Sequence, residues 1–231
     1  MFVDRFILAT RDDELNYLLP RSTVYDVTKH YDEHMPFGIF TKKRIDKLSF
    51  GKITLICGSS NSEKYLLFKI IAAKLGIKEA QMNMHCFDDY LNLCSVKYTN
   101  FCNRDFPCFM IRREQCIKYL DSIGASFDKY QKHGLLCLHE SIIKDKAVYK
   151  REEPATGMSF SEQGMLAKLI EDCVNYNGSQ FIVLTNSPVL MNLNKAVIYD
   201  VDISPFVPKK RYNSECVKGY LSLFENIKNG E

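Results

Sequence analysis

A short apolar run followed by a polar loop and a helical pattern constrains the fold of this chain more than any other feature. The run from Ile53 to Cys57 is apolar and rich in β-branched residues, and it ends at Gly58, as a buried parallel strand would. From Lys64 to Leu75 the apolar residues recur near helical spacing, and Gly76 follows as a stop signal. Strand, loop and helix in this order favour a sheet of parallel strands.

The C-terminal half of the chain continues the alternation of strands and helices. Ser159 and Glu162 match the S-x-x-E capping box, which predicts an amphipathic helix from there to about Tyr176. Three elements follow it: a buried strand over 181–184, a turn at 187–188 into a short helix, and a last strand over 196–201. We therefore predict an α/β fold with a mainly parallel sheet flanked by helices.

The N-terminal and middle regions are less regular. Residues 1–50 contain two strand-like runs, over 2–9 and 37–41, which predict an N-terminal antiparallel β portion. Between residues 82 and 145 the segments 86–93 and 114–123 have a helical pattern, and we interpret this region as a variable helical insertion. No internal repeat is evident, so a single domain over 1–231 is expected.

Composition excludes several classes of protein. A hydrophobic content of 46% is enough for a buried core and excludes a disordered chain. The 31 Lys and Arg nearly balance the 28 Asp and Glu, and the net charge of +3 gives little support for binding nucleic acid or an anionic membrane. No apolar stretch is long enough to span a membrane and the N-terminus does not resemble a signal peptide, so we expect a cytoplasmic location.

The nine cysteines favour reduced thiols in a cytosolic protein, because they include no C-x-x-C pair and the chain is large. Cys102, Cys108 and Cys116 are one candidate metal cluster, but their spacing is irregular. His30 and His34 are another, although the nearby glutamate is misplaced for H-E-x-x-H. Small buried thiols and a solvated polar segment are the favoured interpretations.

The loop after the first buried strand has part of a phosphate-binding pattern. A P-loop requires G-x-x-x-x-G-K-[ST] between strand and helix, because backbone N–H groups and the lysine bind phosphate and the last hydroxyl binds Mg²⁺. The corresponding residues are Gly58, Ser59, Ser60, Asn61, Ser62, Glu63, Lys64 and Tyr65. The first glycine and the lysine are kept, whereas the second glycine and the hydroxyl residue are replaced.

Three later segments carry a resemblance to a known family. Residues 147–159, an apolar strand followed by Glu152, Glu153 and a short run to a serine, resemble its Walker B and D-loop stretch. Residues 178–190 resemble its strand and switch segment, S-Q-F-I-x-x-T-H-S-P-x-L, and residues 196–202 are similar to its closing strand. The family is that of the bacterial single-domain AAA or ABC-type ATPases, which are related to the heads of chromosome-maintenance and recombination ATPases.

The resemblance implies ATP and Mg²⁺ as ligands if nucleotide binding is retained. Glu152 takes the position of the aspartate that holds Mg²⁺, and Glu153 that of the glutamate that positions the attacking water. Asn186 replaces the switch histidine that reaches the γ-phosphate; an amide still forms hydrogen bonds but carries no charge. The family's signature loop, S-x-G-[EQ]-S, corresponds to residues 132–136, which keep only the glycine.

The departures from the family pattern predict weaker nucleotide chemistry. Glu63 adds bulk and negative charge where a glycine lets the backbone approach phosphate. The hydroxyl of Tyr65 lies too far from its Cα for the usual Mg²⁺ position. Lys150 and Arg151 interrupt an apolar strand; either they replace lost metal charge, or, as we favour, they pair with Glu152 or Glu153 or are solvated.

Two main functions are compatible with these patterns. The first is a regulatory or scaffold pseudo-ATPase with weak or lost ATP binding and hydrolysis, and the alternative is a slow but genuine ATPase, so enzymatic activity stays open. A DNA-associated or defence role follows only from relatives of the fold, and the basic run at 209–211 favours a solvated loop. Because relatives bind ATP between two subunits, the resemblance implies a homodimer or a heterodimer with an ATPase-like subunit.

Overall fold

The elements of the fold alternate between strands and helices over most of the chain. The computed structural model describes residues 1–19, 34–99, 107–111, 143, 146–209, 213 and 215–230. The strands are β1 (Val3–Ile7), β2 (Lys47–Ser49), β3 (Ile53–Cys57), β4 (Ser95–Tyr98), β5 (Cys108–Ile111), β6 (Val148–Glu152), β7 (Gln180–Leu184) and β8 (Val197–Asp200). The helices are α1 (Arg11–Leu18), α2 (Ile39–Lys42), α3 (Lys64–Lys74), α4 (Phe87–Leu93), α5 (Phe160–Tyr176), α6 (Pro188–Met191) and α7 (Glu215–Asn229).

The larger sheet has the strand order β5-β6-β7-β3-β8, and every neighbouring pair is parallel. Strands β3 and β7 lie inside it, and all five residues of each are buried. Phe109, Tyr149 and Phe181 occupy matched positions on three adjacent strands and stack with ring centroids 5.7 and 5.2 Å apart. Because all strands are parallel, the loops that follow β3, β6, β7 and β8 lie at one edge of the sheet.

A smaller antiparallel sheet, of order β2-β1-β4, lies beside the parallel one. The side chain of Gln180 joins the two sheets. Its Oε1 accepts the backbone N–H groups of Phe2 and Val3, both at 2.9 Å, and its Nε2 donates to the carbonyls of Val3 at 2.8 Å and Gly51 at 2.9 Å. The buried amide therefore connects β1 to the parallel core.

Helices cover both faces of the parallel sheet, and each face has its own apolar cluster. Alternate residues of β3 point to opposite faces, so Ile56 packs with α3, α4 and the small sheet, whereas Leu55 packs with α5 and α6. Helix α5 is capped at its N-terminus by Ser159, whose hydroxyl accepts the Glu162 N–H at 3.3 Å. Its buried residues recur at helical spacing: Leu166, Ile170, Cys173 and Val174.

The structure confirms the predicted fold class, including the N-terminal antiparallel portion and the P-loop-type order of strand, loop and helix at β3 and α3. The strand-like interpretation of 37–41 is wrong, because helix α2 covers Ile39–Lys42 and packs Phe40 into the core. The predicted helix over 114–123 and the signature loop at 132–136 lie outside the described residues. The single domain over 1–231 stays a prediction.

Among the cysteines whose side chains the structure describes, none forms a disulfide bond: Cys57, Cys86, Cys94, Cys108 and Cys173. All but Cys108 are buried. Of the two candidate metal clusters, only Cys108 and His34 fall within the described residues, where no group of three or more potential metal ligands occurs. None of the helices in this part of the chain has the length and apolar character needed to cross a membrane.

Candidate functional site

The loop between β3 and α3 is a tight turn that depends on a glycine. The Ser62 backbone N–H and hydroxyl both bond to the Ser59 carbonyl, at 3.3 and 2.8 Å. Gly58 has a φ of +151°, and a Cβ added there would lie 2.6 Å from the Ser62 hydroxyl oxygen. The glycine that the sequence pattern keeps is therefore required by the turn itself.

Glu63 adopts the left-handed backbone conformation that the second glycine of a P-loop would adopt easily. Its φ is +57°, and α3 begins at the next residue. Its carboxylate lies 2.7 Å from the ammonium of Lys43, which also donates to the Ser62 carbonyl at 2.9 Å. The predicted negative charge is thus present beside the loop, but it is paired with a lysine. Nothing in the sequence pattern indicated Lys43, because it lies 19 residues before Ser62 in the chain.

Lys64 is directed into the protein. Its side chain is only 3% exposed, and its Nζ donates to the Gly58 carbonyl at 2.8 Å and lies 3.4 Å from Oε1 of Glu153. The ammonium also lies 5.3 Å from the ring centroid of Tyr65. The lysine that a P-loop directs at phosphate is held here by partners within the chain.

The two candidate acids at the end of β6 point in different directions. Glu153 has a φ of +43°, its N–H bonds to the Leu184 carbonyl at 2.8 Å, and its Oε1 lies 3.4 Å from the Tyr65 hydroxyl as well as from Lys64. Glu152 lies with Oε2 3.6 Å from the ammonium of Lys69 on α3. The structure brings Glu153 to the loop, whereas Glu152 pairs with Lys69 on α3.

Asn186 also contacts the loop, because it follows β7, the neighbour of β3. Its Oδ1 accepts the Gly58 N–H at 3.2 Å and its Nδ2 donates to the Gly58 carbonyl at 3.0 Å. Both ends of the amide are therefore engaged with a single residue. Asn186 and Lys64 thus donate to the same carbonyl, that of Gly58.

Asp202 is a part of this site that the sequence did not indicate as such. It follows β8, and its carboxylate accepts both the backbone N–H and the hydroxyl of Ser59. The resemblance included residue 202 only as the end of a closing strand. Parallel pairing of β3 with β8, in which Cys57 lies opposite Asp200, brings the carboxylate to the loop.

The residues present do not fit a Mg²⁺ site of the family type. Mg²⁺ prefers several oxygen ligands in octahedral geometry. Glu152 and Glu153 each lie within ion-pairing distance of a lysine. The residue at the hydroxyl position is Tyr65, and burial raises the pKa of its hydroxyl, with the negative charges of Glu153 and Glu152 raising it further. This hydroxyl is therefore a poor ligand for Mg²⁺.

Lys150 and Arg151 lie inside the protein on opposite faces of the sheet, and both are fully buried, so neither is solvated. The ammonium of Lys150 lies 5.6 Å from the ring centroid of Phe68 and has no hydrogen-bond partner within the described residues. Burial holds its pKa well below the usual value. The expected pairing with Glu152 or Glu153 is therefore wrong for Lys150.

A groove of about 720 Å³ opens next to Glu153 and Asn186. Its apolar wall includes residues of α5, α6 and α7, such as Phe160, Met191 and Phe224. The apolar residues of α7 become more exposed along the helix, from 40% at Tyr220 to 63% at Ile227. The candidate site is thus continuous with an exposed apolar surface.

Comparisons with known proteins give structural similarities only. No protein-family model and no curated protein matches the sequence. Among solved structures, an SMC head domain from Thermotoga maritima is similar at a TM-score of 0.43 and 12% identity, covering 67% of this chain and 88% of that one. An ABC transporter of the metal-chelate type, in an inward-facing conformation, is similar at a TM-score of 0.45 and 12% identity, covering 97% of this chain and 90% of that one. With scores this low, the interpretation of the site depends on its own geometry.

Proposed function

We propose that this chain is an ABC/AAA-type ATPase-like domain that acts as a regulatory or scaffold pseudo-ATPase, with weak or lost ATP binding and hydrolysis. The observation that carries the proposal is the state of Lys64, whose ammonium is buried and bonded to Gly58 and Glu153. To bind phosphate, this lysine would have to give up both contacts. Nucleotide affinity is reduced by the free energy of that rearrangement.

The charge around the loop opposes a polyanion as well. Glu63, Glu153 and Asp202 contribute three negative charges at the loop, against two positive charges from Lys43 and Lys64, and the pair of Glu152 with Lys69 further along α3 adds no net charge. Each positive charge lies within 4 Å of a carboxylate, so little of it is available to a triphosphate. A nucleotide site normally has an excess of positive charge at this place.

The surface next to the site supports a binding role. Helix α7 exposes Leu221, Leu223, Phe224 and Ile227, and the groove beside it reaches Glu153. Contiguous apolar surface of this kind marks interaction sites in soluble domains. We infer that the partner is a second copy or an ATPase-like subunit. A cytoplasmic location belongs to the same proposal, whereas nucleic-acid binding has no support from the charge distribution.

A slow but genuine ATPase, in a DNA-associated or defence process, is the second candidate. It is favoured by one observation: Lys64, Glu153 and Asn186 converge on the same loop although they come from three separate segments. Glu153 would then position the attacking water.

A thermal-shift titration with ATP, with and without Mg²⁺, tests the two candidates. Ligand binding to the native state raises stability by about 2.7 kcal/mol at a hundredfold excess over Kd. The pseudo-ATPase proposal predicts no shift at millimolar ATP. A Mg²⁺-dependent shift that Lys64→Ala abolishes, together with phosphate release that Glu153→Gln abolishes, would establish the ATPase instead.

A further inference from the structure

The carboxylate of Asp202 lies against the start of the loop between β3 and α3. It accepts the Ser59 N–H, and its Oδ1 accepts the Ser59 hydroxyl at 3.2 Å. The sheet fixes this position, because the Val201 N–H donates to the Cys57 carbonyl at 2.9 Å and the Asp202 N–H to Oδ1 of Asp200 at 3.1 Å. The pairing of β8 with β3 therefore positions Asp202 next to Ser59.

We propose that Asp202 is an internal competitor for phosphate: its carboxylate holds the donors of Ser59 that an anion at this loop would use, and keeps the loop closed to one. The inference rests on the proposed function, since it concerns the same loop. A carboxylate and a phosphate oxygen accept hydrogen bonds from the same kinds of donor, so one excludes the other.

Two further backbone donors of the turn are bonded to neutral acceptors. The Gly58 N–H bonds to the Asn186 side chain, and the Ser62 N–H to the Ser59 carbonyl. Among these acceptors Asp202 is the one that carries a negative charge. Removal of Asp202 frees two donors of Ser59 and eliminates one repulsive charge, whereas removal of Asn186 would free only the Gly58 N–H and leave the charge unchanged.

Isothermal titration calorimetry of the full chain with tripolyphosphate and with ATP tests the proposal. Asp202→Ala is expected to bind tripolyphosphate at least about tenfold more tightly than the unmodified chain, because a charge and an acceptor are lost together. Asp202→Asn is expected to gain less, because its amide oxygen still accepts the Ser59 N–H. Adding Lys64→Ala to Asp202→Ala should abolish the gain, which locates the anion at this loop.

Glu171→Gln is the matched control. This substitution also removes one negative charge. The Glu171 carboxylate accepts the Asn194 N–H at 2.7 Å. Because Asn194 precedes the start of β8, this carboxylate lies at the end of the sheet opposite the loop. Equal affinities in Glu171→Gln and in the unmodified chain are expected. If Asp202→Ala and Asp202→Asn bind no more tightly than Glu171→Gln, the proposal is overturned.

Hydrogen exchange supplies a second measurement that needs no ligand. The Ser59 amide should exchange faster in Asp202→Ala, and an unchanged rate would also overturn the proposal. If Asp202→Ala does not fold, Asp202→Asn decides the outcome by its affinity. Failure of the proposed pseudo-ATPase function can be told apart from failure of this proposal. It would appear as tight ATP binding or ATP turnover by the unmodified chain, whatever the ratio of affinities between the Asp202 variants and that chain.

Discussion

Replacement of Gln180 by methionine should destabilise this protein strongly, although methionine has a side chain of similar length and is apolar enough to be buried. The four hydrogen bonds of the amide, to Phe2, Val3 and Gly51, would be lost together. At about 1 kcal/mol net for each bond, the loss is about 4 kcal/mol, and backbone groups left buried without partners add to it. For a domain of this size that corresponds to a fall in Tm of about 8–16 °C.

The measurement is thermal or denaturant unfolding monitored by circular dichroism, with Gln163→Met as the matched control. Gln163 makes two side-chain bonds, to the Met158 carbonyl at 3.0 Å and from the Ser187 hydroxyl at 2.6 Å, and it is only half-buried. Its replacement should cost about 1–2 kcal/mol. The reasoning is refuted if Gln180→Met is no more destabilising than Gln163→Met.

Three further substitutions test other features of the fold. Lys150→Met should stabilise the protein by about 1–3 kcal/mol, because a buried amine without an acceptor is replaced by an apolar chain of similar volume. Burial lowers the pKa of Lys150 below its usual value of 10.5, so between the folded-state pKa and 10.5 the unfolded state binds more protons than the folded state. Stability should therefore rise with pH over that window, and Lys150→Met should flatten the rise. Gly58→Ala should cost about 2 kcal/mol in unfolding free energy, because its Cβ would clash with Ser62 at a φ of +151°. Ser159→Ala should cost about 1 kcal/mol, because α5 loses its capping box.

Each of these predictions has a measurement that can contradict it. An unchanged pH dependence of Tm in Lys150→Met would mean that the buried amine does not titrate as argued. Gly164→Ala is the control for Gly58→Ala: in α5 an added Cβ has no atom within 4 Å, so that variant should gain up to about 1 kcal/mol. If both substitutions change the free energy of unfolding by the same amount, the clash with Ser62 is not the cause of the loss at Gly58. A Ser159→Ala variant as stable as the unmodified chain would mean that the cap contributes nothing.

Much of the fold was readable from the sequence because strand and helix signals there are local. The predicted strand Ile53–Cys57 is found without a shift, and the capping box at Ser159 begins α5 as predicted. The strand prediction for 37–41 was wrong because a short apolar run is compatible with a turn of buried helix as well as with a strand. Its helix α2 is decided by the packing of Phe40 in the core.

Two contacts at the loop could not be predicted in the same way. Lys43 pairs with Glu63, and Asp202 binds Ser59 from 143 residues away in the chain. Neither contact has a periodic or motif signal, since each depends on which elements become neighbours. The predicted solvation of Lys150 failed for a related reason: one charged residue in a strand does not reveal that the strand is covered on both faces.

The sequence by itself determined the alternation of strands and helices, the glycine and lysine of the loop, and the replacement of its second glycine by Glu63. These are properties of residue type and spacing, which act over a few residues. The tertiary structure alone decided that Lys64 is bonded to Gly58 and Glu153, and that Asp202 holds Ser59. The contacts of Glu153 and Asp202 arise from the pairing of β6 with β7, of β7 with β3 and of β3 with β8, because neighbouring strands bring together residues that are distant in the chain.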